Sequence, residues 1–220
     1  MSRNLLFGAA ILSCVSTLST QSFALSDRTI NYTTSVQNVT ADNRLSPYLV
    51  IVHKAGTKIF DVGTAATAGL QQLAETGATD VIQAELAQNP NVISVSKVDG
   101  MPLIGAESRS LAFSVDDQSV KGGALVTVLA MIGRSNDSFI SVSCLPLKNI
   151  GKDVYSLKAD NFDAGTEENT GNTEDLNATG HPVAAAEGHI SYDRGLNPNG
   201  NAPETFRWGS VAAKVSFSKN

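Results

Sequence analysis

The chain is expected to fold as a mostly β, antiparallel sandwich with a short helical insertion at about residues 64–88. Apolar residues alternate with polar ones at period two along several stretches, and one span alone switches to helical spacing between capping residues. Once a leader is removed, about 196 residues remain, enough for one all-β domain with a full core.

The leader occupies residues 1–24. Arg3 supplies the positive start, Leu5 to Val15 the apolar run, and Ser22-Phe23-Ala24 a small-x-small cleavage site ahead of Leu25. The run is interrupted by Ser13, Ser16, Thr17 and Ser19 and falls short of the roughly 20 apolar residues that span a bilayer. Ile11-Leu12-Ser13-Cys14 resembles a lipobox, which makes a lipoprotein anchored at Cys14 the minor alternative. The expectation is one exported domain over 25–220, secreted or periplasmic.

From residue 28, Ile30, Tyr32, Thr34 and Val36 mark a half-buried strand, and Asp42, Asn43 and Ser46-Pro47 a turn. Tyr48 to His53 reads as a strand covered on both faces. Thr64 is the expected N-cap of a helix carrying Ala65, Ala66, Ala68, Leu70, Leu73 and Ala74 and closed by Gly77; Thr79 starts a second, with Ile82 and Leu86 on one face. Asn89-Pro90-Asn91 ends it, and Val92 to Val98 suggests an edge strand. Leu111, Phe113 and Val115 alternate within 108–116, whereas Asp116-Asp117-Gln118 and Gly122-Gly123 have loop chemistry. Residues 124–132 are apolar on both faces and form the expected central strand. Further strands are expected at Ser138–Leu145, Val154–Leu157 and 211–217. Between the last two lies a loop-rich excursion of roughly residues 160–205, and loops beyond about 12–15 residues are uncommon unless functional or disordered.

Without the leader, 15 basic side chains face 21 acidic ones, a formal charge of −6. With no Lys/Arg cluster, nucleic acid and anionic membrane are poor partners. Only Cys144 survives leader removal, so no intrachain disulfide is available, and its apolar surroundings predict a buried hydrophobe.

Within the excursion, Asp163-Ala164-Gly165-Thr166-Glu167 sets two carboxylates around a glycine. A tight glycine turn of this kind can converge oxygens on a hard cation such as calcium, which takes ligands at about 2.3–2.6 Å. The same five residues are equally compatible with an ordinary Asx turn in which Asp163 caps the next amides. Asn136-Asp137, just after the central strand, could supply a third oxygen or be a solvated hairpin turn. His53 reads as a satisfied core residue, and His181 and His189 have no zinc spacing. No HExxH, GxSxG, EF-hand or phosphate loop is present. The paired acids of 163–168 leave a carbohydrate-active hydrolase as the alternative, although one Trp and 6% aromatics are a thin supply of sugar platforms.

These features together resemble the spondin amino-terminal domain family. The likeness rests on the opening strand Tyr32 to Val39 with Ser46-Pro47 and His53, the Phe60-Asp61-Val62-Gly63 lead into the Ala-rich helix, and Asn136-Asp137-x-Phe139. It extends through Asp163-Ala164-Gly165-Thr166-Glu167 to Trp208 ahead of the closing strand. The resemblance implies a C2-like antiparallel β-sandwich and a calcium ion held by Asp137, Asp163 and Glu167. The matrix and cell-guidance roles of animal members are not carried by these residues; the expectation, from the leader together with the two acidic turns, is a non-enzymatic binding or adhesion module for an unknown extracellular or cell-surface ligand, protein or glycan. This chain departs from animal members in having Glu at 167 where they have Asp, and in lacking their cysteines.

Overall fold

The computed structural model describes residues 28–176 and 186–220. The leader expected over 1–24, Cys14 and His181 lie outside these residues. In chain order the strands are β1 Thr29–Asn38, β2 Arg44–Leu45, β3 Leu49–His53, β4 Val92–Lys97, β5 Leu103–Ile104, β6 Ser108–Asp116, β7 Leu125–Met131, β8 Ser138–Pro146, β9 Tyr155–Lys158, β10 Asp160–Asp163, β11 Ser191–Tyr192 and β12 Ala213–Lys219. The helices are α1 Ala68–Thr76, α2 Asp80–Ala87 and α3 Asp117–Lys121. Among the described residues no helix is long and apolar enough to cross a membrane.

Two antiparallel sheets face each other. One has the order β6-β1-β12-β9, the other β11-β10-β8-β7-β3-β4, with β2-β5 as a small ribbon. Their inner faces share one core: Ile30, Tyr32, Val36, Phe113, Val215 and Phe217 meet Val50, Val52, Val126, Val128 and Ile140. The alternation of β1 is realised as alternating burial, because one face of this sheet meets the core and the other meets water. β3 is buried at every position: its inner face lies in the shared core, and Leu49 and Ile51 on its outer face pack under the two helices. β7 lies inside the larger sheet and β4 at its edge, as the sequence suggests.

The helical insertion covers the outer face of the six-stranded sheet. Leu70, Leu73 and Ala74 of α1 and Ile82 and Leu86 of α2 join Leu49, Ile51, Leu129, Phe139 and Phe162 in a second cluster. The first helix starts at Ala68 with Thr67 as its cap, three residues later than expected. Thr64 is occupied elsewhere: its amide and hydroxyl both donate to the Asp61 carbonyl, and its own carbonyl accepts from the Ile190 amide. Thr67 instead accepts from the Leu70 amide, while the Glu85 carboxylate of α2 accepts from the Gly69 amide and the Thr67 hydroxyl. Asp117 and Gln118, expected as loop, begin α3, because the carboxylate of Asp116, the last residue of β6, caps the Ser119 amide.

Cys144 is only partly buried, against expectation. It sits where the β7–β8 register shifts, with φ +56°, so a β-bulge turns it out of the core alternation. The excursion also holds more order than its composition suggests, since β10 pairs with β8 and β11 pairs with β10. These pairings place its carboxylates at one end of the larger sheet.

Candidate metal centre

Two turns build the centre. Asp137 lies in the connection from β7 to β8, and Asp163 is the last residue of β10, directly opposite Ser138 in the β8–β10 register. The adjoining amide of Ala164 donates to the Asp137 carbonyl at 3.2 Å, which draws the two turns together. Ser135 fixes the first: its hydroxyl donates to the Ile132 carbonyl and accepts from the Ser138 amide.

Gly165 shapes the second turn. Asp163 Oδ1 accepts from the Gly165 amide at 2.8 Å, so the Asx turn is formed. Gly165 has φ +70°, and a Cβ there would land on the His189 backbone carbonyl. Glycine therefore meets both a left-handed conformation and a close backbone approach. That approach lets the Gly188 amide donate to the Gly165 carbonyl at 2.8 Å, which brings the neighbouring Glu187 beside the site.

One carboxylate oxygen from each of Asp137, Asp163 and Glu187 lies within 4.8 Å of the other two. The structure thus unites Asp137 with Asp163 and adds Glu187, which the sequence reading did not consider. Glu167 is not in this group. Its backbone amide donates to Asp137 Oδ2 at 3.1 Å, and the Thr166 amide and hydroxyl donate to the same oxygen. Asp137 Oδ2 is thereby saturated, whereas Asp137 Oδ1, in a residue 1% exposed, has no hydrogen-bond partner among the described residues.

The electrostatics are those of acids held together out of water. Burial pushes Asp137 up to about 6, against the opposing effect of the three donors on Oδ2. Burial first and the Asp137 charge second push Asp163 to about 7. Glu167 rises to about 7 through burial and the charges of Glu75, Asp137 and Asp175. Asp193 is also raised by burial, although Gly195 and Trp208 donate to it. Like-charged carboxylates in a desolvated place disfavour ionisation, and a bound cation would remove that penalty.

These residues fit a hard divalent ion. All donors are carboxylate oxygens, the set that suits calcium rather than zinc or copper, and a buried oxygen with no partner among the described residues is open to such an ion. Asp137, Asp163 and Glu187 would hold it, leaving a formal charge of −1. The two described histidines stay outside the carboxylate group: His53 is fully buried, with Nε2 2.9 Å from the Thr127 hydroxyl, and His189 Nδ1 is 3.1 Å from the Glu187 carbonyl.

A sequence signal for the wider site does exist. Asp193-Arg194-Gly195 repeats the Asp-x-Gly form of Asp163-Ala164-Gly165 and makes the same Asx turn, with Gly195 donating to Asp193 Oδ1 at 2.7 Å. Asp193 Oδ2 accepts from the indole of Trp208 at 2.8 Å, tying the end of the excursion to the core. Glu187 has only a neighbouring glycine to mark it, and its position depends on the backbone packing at Gly165.

No curated protein matches the chain. The Spondin_N family profile matches residues 30–190, a span that holds all but the first residue of β1, the helical insertion, both acidic turns and Glu187. With most of its length matched in this way, the chain belongs to the spondin N-terminal domain family.

Proposed function

We propose that this spondin-domain protein is an exported, non-enzymatic binding module whose calcium ion, held by Asp137, Asp163 and Glu187, clips the acidic excursion to the end of the larger sheet. The supporting observation is Asp137 Oδ1, buried, without a partner among the described residues and grouped with two further carboxylates. The ion neutralises acids that otherwise repel, and so orders a loop surface suited to adhesion. Extracellular modules of this kind bind calcium at about 10⁻⁴–10⁻³ M.

Calcium titration of the mature protein during thermal unfolding tests the reading. A tenfold excess over the dissociation constant stabilises by about 1.4 kcal/mol, a rise in Tm of roughly 3–6 °C for a domain this size. Asp137→Asn is expected to abolish the rise. No rise at any millimolar concentration would reject the site. A protein indifferent to calcium, and rendered stable but inactive towards a carbohydrate substrate by Asp163→Asn, would favour hydrolysis by the paired acids instead.

A further inference from the structure

We propose that the open side of this cation site, together with Tyr192, forms a subsite for a neutral glycan at least two sugar units long. The proposal rests on the calcium reading and names the ligand class for it. A cleft of about 750 Å³ borders the site and is lined by Asp163, Glu187, His189, Tyr192 and Arg194. That lies within the roughly 300–1,000 Å³ of small-molecule sites.

The three acids are graded in exposure: Asp137 is buried, Asp163 is 9% exposed, and Glu187 is exposed. The shell is therefore closed toward the protein and open toward the cleft. Calcium takes 6–8 oxygens, and one oxygen from each of three carboxylates leaves positions for backbone carbonyls, water or the oxygens of a ligand in the cleft. Vicinal hydroxyls of a sugar supply two such oxygens without adding charge. The charge selects among ligands: a site left at −1, on a chain of net −5, disfavours phosphates, sulfates and carboxylates.

Tyr192 supplies the second contact. It is 65% exposed, yet its ring is stacked on Phe162 at 5.3 Å, and Phe162 is stacked on Phe139 at 5.4 Å. The column anchors one face of the tyrosine to the core and leaves the ring as a fixed platform for the C–H face of a pyranose. The register sets the minimum ligand length. Tyr192 pairs with Phe162 and Ser191 with Asp163, so ring and carboxylate sit on adjacent rungs and point to opposite faces of the sheet. One pyranose cannot reach both, whereas two or more linked units can pass around the free edge of β11.

The experiment measures retention of the mature protein on immobilised neutral mannan, galactan and glucan, and on dextran sulfate, in a few millimolar calcium or in EGTA. The calcium-induced rise in Tm is measured in parallel. Retention on at least one neutral polymer, lost in EGTA, is expected. Tyr192→Ala should weaken it about three- to tenfold while leaving the rise in Tm unchanged. A normal rise in Tm with no retention on any neutral polymer overturns the glycan proposal alone. So does retention on dextran sulfate only, or a Tyr192→Ala protein that binds like the parent. Absence of the rise itself overturns the calcium reading and this proposal with it.

Discussion

The two ends of the six-stranded sheet bury polar groups in opposite ways. At the end where β3 finishes and β7 begins, the Thr127 hydroxyl accepts from the Cys144 amide at 3.0 Å and lies 2.9 Å from His53 Nε2. His53 Nδ1 is 3.3 Å from the Lys54 carbonyl. That cluster is satisfied from within, and burial holds the imidazole below its ordinary pKa, neutral. At the other end Asp137 Oδ1 and Asn136 Oδ1 are buried without partners among the described residues, beside acids raised toward neutrality. Internally satisfied polar burial stabilises the fold, whereas unsatisfied burial leaves a place for a ligand.

Breaking the geometry of the acidic end should have the largest effect. Gly165→Ala imposes a left-handed alanine, about 1–3 kcal/mol, and a steric conflict with His189 of similar size. Chemical denaturation should show the combined loss, and the calcium-induced rise in Tm should vanish because Glu187 is displaced. At the satisfied end, Thr127→Val leaves the Cys144 amide and His53 without their partner and should destabilise by about 1–3 kcal/mol, equally with and without calcium. A calcium-dependent loss there would erase the contrast between the ends.

Asp163→Asn should act with the opposite sign. In calcium-free protein above neutral pH it removes a buried charge, and since one pKa unit corresponds to about 1.4 kcal/mol, a stabilisation of at least about 1 kcal/mol is expected. A destabilised, calcium-free Asn variant would show that the acids do not repel as the structure implies.

pH sharpens the same point. Asp137 and Asp163 ionise near 3.9 when unfolded but at about 6 and about 7 when folded. Between these values the folded state holds more protons, so stability falls as pH rises; the loss is absent below the unfolded pKa and complete above the folded ones. In EGTA, Tm should therefore be higher near pH 5 than near pH 8, and saturating calcium should narrow or reverse that order. The smallest effect concerns the third acid of the proposed site: Glu187→Gln should weaken calcium binding several-fold and more than Glu167→Gln, as read by titration of Trp208 fluorescence. Equal effects would return Glu167 to the shell.

Much of this was legible in the sequence, because the signals are local. Period-two alternation records which face of β1 meets the core, and Ile82 and Leu86 mark the packed face of α2. Asp137 and Asp163 are each marked by their own turn chemistry. The start of α1 was misplaced because a competing contact, Thr64 to Asp61 and Ile190, comes from outside the local window. Cys144 departs from its apolar pattern because a bulge shifts the register.

By itself, then, the sequence determined the sandwich, its helical insertion, the family and two of the acids, since each depends on spacing within a few residues. Only the tertiary structure decided that Glu187 joins them, that Glu167 offers its amide to Asp137, and that Tyr192 stands on a column of rings. Those outcomes depend on contacts between segments far apart in the chain, above all the backbone approach at Gly165, which no local spacing encodes.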